Sequence, residues 1–206
     1  MFPSKEKPHV QFPSRRLFAA LIAITGLSAF ASRVDANANL PAQASTEVDW
    51  PAGYSPKTAD IYSHNEVVIH ASPSTVWRSL VAVEQWPTWC STAQKVRILT
   101  SEKVLGPHSK WAWTTVGVPL YSTVAKYVPN ERLEYYSVHT DNSGVAAYRA
   151  WLLIPVADGC KVISELVESG PVAQYAASTQ QRMQGQLKQL KAVSESLSNQ
   201  SASSQK

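Results

Sequence analysis

The sequence predicts an α+β fold: one curved, antiparallel, seven-stranded sheet wrapped around a long C-terminal helix, in the order β-αα-β6-α. Three observations carry this. Six β-rich runs follow one another between about residues 94 and 168 with only short turns between them, which favours sequential antiparallel hairpins. A seventh run, Glu66 to His70, precedes a helical stretch. After Gly170-Pro171 an apolar stripe at helical spacing runs on to Leu197, and no other element is long enough to cover a face of that sheet.

Residues 1–38 have the pattern of an export signal: a polar, basic start up to Arg16, an apolar core, then small residues. The apolar core, Leu17 to Phe30, has 14 residues, short of the roughly 20 that span a bilayer. Cleavage sites of the A-x-A type stand at Ala29-Phe30-Ala31 and Ala36-Asn37-Ala38, and the second is preferred because it leaves a polar region before the cut. Ser14-Arg15-Arg16-Leu17-Phe18 partly matches a twin-arginine signal, with Ala19 and Ala20 where leucine and lysine are usual. No cysteine follows the apolar core, which excludes a lipoprotein anchor. Cleavage after Ala38 leaves 168 residues, exported to a periplasm or the medium with no stable membrane span. The competing reading is an uncleaved membrane anchor.

Residues 39–63, rich in Pro, Ala and Ser, read as an extended linker or wrapping arm. The domain proper covers 64–197, and 198–206 read as a disordered polar tail. Within the domain, Val67, Val68 and Ile69 give the first strand. Ser72 suits a helix N-cap and Pro73 the first helical position. Val76, Trp77, Leu80, Val81 and Val83 then recur at helical spacing to about Glu84, and Pro87 stops that helix or starts a second short one. The remaining strands fall at about 94–101, 109–116, 120–128, 132–139, 145–155 and 160–168. Gly106-Pro107, Gly117 to Pro119, Pro129-Asn130, Asp141 to Gly144 and Asp158-Gly159 punctuate them. The last helix carries Val172, Ala176, Thr179, Met183, Leu187, Leu190, Val193 and Leu197 on one side, with Gly185 on the polar side.

Composition excludes several functions. Hydrophobic residues make up 44% and charged residues 17%, a globular balance. The pI of about 9.1 points to nucleic acid only until the charge is located. Residues 1–38 hold five basic side chains against Glu6 and Asp35, a net of +3 out of the total +4, so the folded part carries +1 and offers no nucleic-acid footprint. His64, His70, His108 and His139 show no metal-ligand spacing, and Cys90 and Cys160 are too few for a cysteine cluster. There is no G-x-S-x-G elbow and no phosphate-binding glycine loop. Glu165 and Glu168 fall on opposite strand faces, so they form no acid–base pair.

Several local signatures follow one another along the chain: Val68-Ile69-x-Ala71-x-Pro73-x-x-Val76-Trp77, Trp86-Pro87-x-Trp89, Val124 to Pro129-Asn130 with Leu133, Trp151-x-Leu153-x-Pro155, Asp158-Gly159, Gly170-Pro171 and Leu187-x-x-Leu190-Lys191-x-x-x-Glu195. They resemble those of the START-like, helix-grip superfamily (SRPBCC), which includes polyketide cyclases/dehydrases and lipid-transfer proteins. Each is weak alone; their order over nearly all of 64–197 is specific. Cys160 and Thr75 depart from the threonine and glutamate common at those places.

The resemblance implies a space between sheet and helix that holds a lipid or other hydrophobic small molecule, in a monomer with no cofactor or metal. Two alternatives stay open: an aromatase/cyclase-type enzyme working in the same cavity, and a structural or interaction module whose cavity has collapsed. The implied lining is Trp89, the strand aromatics Trp111, Trp113, Tyr121, Tyr127, Tyr135 and Trp151, and Met183 on the helix. For Trp89 the competing reading is plain core packing; for Trp77 packing is preferred. Leu133 faces inward after the Pro129-Asn130 turn, and alternation carries Tyr135, Ser137 and His139 with it. Trp151 and Leu153 resemble inward positions, which brings Arg149 to that face, opposite Tyr135 if the loop is Thr140 to Gly144. A slip of one residue would instead leave Arg149 solvated on the convex side. An oxidising compartment allows Cys90 and Cys160 to bond; two separate buried thiols are the preferred alternative.

Overall fold

The computed structural model describes residues 47–141 and 143–204; the expected export signal and the start of the arm lie outside the described residues. The elements are β1 (Ile61–Ile69), α1 (Pro73–Val81), α2 (Trp86–Trp89), β2 (Ala93–Ile98), β3 (Lys110–Thr115), β4 (Val118–Val128), β5 (Arg132–His139), β6 (Ala146–Val156), β7 (Gly159–Ser169) and α3 (Ala176–Ser203). The strands form one seven-stranded sheet in the order β1-β7-β6-β5-β4-β3-β2, antiparallel at every step. The sheet grips α3, 28 residues long, as the sequence predicts.

Local chemistry sets the elements. Ser72 caps α1 by accepting from the Thr75 amide at 3.2 Å, and Pro73 stands in the first turn. Pro87 opens α2 instead of ending α1. Glu84 accepts from the Ile98 amide at 2.9 Å, tying the segment between the helices to β2. The β3–β4 hairpin closes on Val116 and Gly117, both with positive φ, as a two-residue type I′ turn requires. At Gly159 φ is +141°, and a Cβ there would stand 2.1 Å from the Ile69 carbonyl oxygen; only glycine lets β7 start beside β1.

The inner face of the sheet packs on α1, α2 and α3 through Trp111, Trp113, Leu133, Tyr135, Trp151, Leu153 and Val162, against Leu187 and Leu190 of α3. Polar contacts fix where α3 lies. Gln180 bonds both Ser63 and Asn65, which bond each other, so β1 and α3 share a closed ring. Further along, Lys191 Nζ donates to the Val68 carbonyl at 2.7 Å, and Glu195 accepts from the His70 amide at 2.8 Å.

Two boundaries and one strand register differ from expectation. β1 begins at Ile61, inside the segment read as arm. The part of that arm described here packs Val48, Trp50, Tyr54 and Ala59 onto the convex face over Tyr148, Ala150, Leu152, Ile163 and Val167. The tail read as disordered from residue 198 is helical to Ser203: no glycine or proline after Gly185 interrupts α3, and the hydroxyls of Ser201 and Ser203 bond to carbonyls four residues earlier. The third concerns β4, where a bulge between Val124 and Lys126 reverses the alternation. Tyr121 and Tyr127, six residues apart, therefore do not share a face. Tyr127 packs on Trp77 with ring centroids 5.0 Å apart, whereas Tyr121 is 55% exposed and faces away from the core.

Two glycine substitutions should act in opposite directions. Gly159→Ala should lower stability by about 2 kcal/mol through strain and the Ile69 clash. Gly185→Ala, where nothing lies within 4 Å of the added Cβ, should raise it by up to about 1 kcal/mol. Denaturant midpoints measure both; a neutral Gly159→Ala would contradict the close approach of β7 to β1.

Candidate functional site

The centre of the sheet–helix sandwich is filled with aromatic rings. Trp86 donates its indole N–H to the Leu80 carbonyl at 3.1 Å and packs edge-on to Trp111, Trp113 and Trp89 at centroid distances of 6.3, 5.5 and 6.3 Å. Trp111 in turn meets Tyr135 at 4.9 Å. The enclosed space left among Trp86, Trp89, Cys90, Trp113, Tyr135, Trp151 and Gln186 is about 10 Å³, too little for any ligand. The middle of the space between sheet and helix is thus occupied by side chains.

The free volume lies instead at one end, where β3 and β4 turn, β5 and β6 meet, β7 finishes and α3 begins. There a cleft of about 710 Å³ runs between Thr115, Val116, Val118, His139, Val145 and Glu168 on the sheet side and Val172, Tyr175, Thr179 and Arg182 on the other. Below it lies a recess of about 50 Å³, bounded by Thr115, His139, Glu168 and Arg182 together with Arg149 and Met183. A separate groove of about 680 Å³ lies outside the sandwich between α1, α2 and the C-terminal part of α3.

The expected lining residues divide accordingly. His139 borders both cleft and recess; Trp113, Tyr135, Arg149 and Met183 border the recess. Trp151 borders the small central void, and Trp89 stands between that void and the outer groove. Trp111 and Tyr127 are core packing, and Tyr121 is turned outward by the β4 bulge. Cys90 and Cys160 are free thiols, not a bridge: Cys90 lies beside Thr92 below α2, and Cys160 pairs with Ile69 at the start of β7. Burial pushes the Cys160 thiol up to about 11, so it is inert at neutral pH.

The polar groups beneath the cleft have defined partners. Arg149 faces inward opposite Tyr135, in the register expected from a five-residue loop, with His139 donating its amide to the Val145 carbonyl. Its guanidinium lies 4.2 Å from the Trp151 ring centre, donates to Gln186 Oε1 at 2.7 Å and Ser164 Oγ at 2.9 Å, and contacts Met183 Sδ at 2.8 Å. Burial lowers the pKa of Arg149 and raises that of Tyr135. Gln186 passes the chain of bonds to Thr92 at 2.8 Å. His139 Nε2 stands 3.6 Å from Glu168 Oε1, and Ser143 Oγ 3.4 Å from His139 Nδ1. Arg182 bonds Thr179 at 3.2 Å; burial lowers its pKa while the Glu168 charge raises it.

Arg182, Thr115 and Gln186 were not singled out by sequence reasoning, and Glu168 was weighed only as a partner of Glu165. Arg182 follows Thr179 by three residues, one turn along the same helix face, which is the signal that places it at the cleft. Among the described residues no cluster of His, Cys, Asp and Glu is fit to hold a metal ion, and no helix is long and apolar enough to cross a membrane.

A family described as polyketide cyclase/dehydrase and lipid transport matches residues 62–195. No curated protein matches the chain by sequence. Among solved structures, a hypothetical protein of Helicobacter pylori is similar with a TM-score of 0.68 at 18% identity, over 75% of this chain and 99% of that one. A Thermus thermophilus protein is similar with a TM-score of 0.55 at 16% identity, over 66% of this chain and 99% of that one. A Chromobacterium violaceum protein gives 0.54 at 18% identity, over 65% and 96%. At these identities the structural likeness establishes the fold.

Counting thiols on denatured, unreduced protein should give two per chain, and the native protein should react with neither on mixing, because both are buried. A count of zero would show that the chain forms a bridge after all.

Proposed function

The chain belongs to the polyketide cyclase/dehydrase and lipid transport family, and from that premise we propose that it is an exported, monomeric protein that takes a hydrophobic small molecule or lipid into the cleft at the start of α3. One observation carries this reading: the cleft volume of about 710 Å³ falls within the roughly 300–1,000 Å³ of ligand sites, with Val116, Val118, Val145, Val172 and Tyr175 around it. Val116 adds support. It is a β-branched residue at φ 43° and 60% exposed, a conformation and an exposure that cost stability. An apolar contact at the cleft rim gives that cost a purpose. The export part of the reading rests on the pattern of residues 1–38.

A second reading has one observation in its favour. The His139–Glu168 pair borders the cleft and supplies a proton acceptor beside a carboxylate, as the cyclase/dehydrase side of the family description would need. A ligand recovered chemically altered after incubation with the protein decides for this reading; recovery unchanged decides for the carrier.

The uncharged dye Nile red should bind with a Kd on the order of micromolar. Val116→Asn should weaken it by about threefold through lost apolar contact, while raising stability by about 1 kcal/mol, since asparagine tolerates positive φ. Absence of dye binding, or affinity unchanged while stability rises, would count against the cleft.

A further inference from the structure

Two arginines lie below the cleft: Arg149 has no acidic group acting on it, and Arg182 feels the Glu168 charge without a direct ion pair to it. Arg149 is 4% exposed, and the groups it contacts, Gln186, Ser164 and Met183, are all neutral. Arg182 bonds the Thr179 hydroxyl. Among the described residues no ion pair involves either side chain. Three buried polar atoms there lack any hydrogen-bond partner: Arg149 Nε, Arg182 Nε and Thr115 Oγ1. All three residues border the same recess of about 50 Å³, which shares Thr115, His139, Glu168 and Arg182 with the open cleft. Glu168 is the carboxylate at this place, and it stands nearer to His139 than to a guanidinium, at 3.6 Å. Among the groups lining the recess, two guanidinium charges against the one Glu168 carboxylate leave a surplus; Asp141 lies further out, on the open cleft.

Burying a charge without a counter-ion is costly, and so is each unpartnered donor. Several such costs gathered around one small space are met most simply by a ligand group that brings the missing charge and acceptors. At about 50 Å³ the recess exceeds the roughly 10–15 Å³ that admits a water and is far below a whole ligand site, so it takes a small head group. That suits a carboxylate, whose two oxygens each accept from arginine. We propose that the recess receives the carboxylate of an amphipathic acid, with Arg149 and Arg182 as its counter-ions and Thr115 as a third donor. The apolar tail lies outward along the cleft towards Val145, Val116 and Tyr175. This rests on the hydrophobic-ligand reading of the cleft and adds the class of ligand.

Competition against bound Nile red by decanoate and by 1-decanol, equal in chain length and different in head group, tests it. In the wild type decanoate should displace the dye at a concentration at least about tenfold lower, the equivalent of one charge-assisted hydrogen bond. An apolar cleft without the arginine contribution would favour the alcohol. Arg149→Gln and Arg182→Gln should each bring the two curves together by weakening decanoate alone, whereas Arg149→Lys should keep most of the preference. Arg182 is the less buried of the two, so Arg182→Gln decides the matter even where Arg149→Gln fails to fold. Equal displacement by acid and alcohol in the wild type overturns the head-group assignment and leaves the cleft reading standing. Failure of the dye to bind overturns the cleft reading and this assignment with it.

Discussion

The packing of Trp86 against Trp111 and Trp113 determines where this molecule can have empty space. A curved sheet closed over one long helix encloses a volume, and in this chain indole rings occupy its middle. Trp86 holds its place because its N–H is satisfied by the Leu80 carbonyl, the last turn of α1. At the α1 end, Trp77 on Tyr127 completes the seal. What remains open is the end where α3 begins, and the site follows from that exclusion as much as from any residue lining it.

Charge and helix position are coupled at that end. Arg149 on β6 reaches α3 through Met183 and Gln186, and Gln186 continues to Thr92 after α2. Removing the guanidinium would therefore loosen three elements at once, while an anion arriving beside it would leave these neutral partners in place. The ring of Ser63, Asn65 and Gln180 holds the same half of α3 on its other side, against β1. The start of α3 is thus pinned along one edge by neutral hydrogen bonds and across the recess by a charged group with spare donors.

Much of the fold was legible because its signals are local. The turn residues of each hairpin, Ser72 with Pro73, and the stripe from Thr179 to Leu190 each act within a few positions, so their sum gave the element order. The inward reading of Arg149 also held, because regular alternation from Leu133 and a five-residue loop fix the register. Tyr121 was named for the lining with the other strand aromatics, but a bulge three residues later puts it and Tyr127 on opposite faces, and a bulge leaves no residue-type signature there. The helical end of α3 was missed because hydroxyl groups bonding back to the helix look, in sequence, like a polar tail. The site was legible only in part. Its aromatic residues were read as a lining, yet whether rings line a space or fill it depends on how they interdigitate across strands and helix. Glu168 and Arg182 become neighbours only once α3 is laid over β7, a distance no spacing along the chain encodes.

The central claim is that ligand enters at the start of α3 and not along the outer groove beside its end. Backbone amide shifts followed by NMR during titration with decanoate test it most directly. The account predicts perturbations gathered at residues 115–118, 139–145 and 170–182, with the indole region unmoved. Perturbations gathered instead at Arg78 to Trp89 and Val193 to Ser204, the walls of the outer groove, would contradict it.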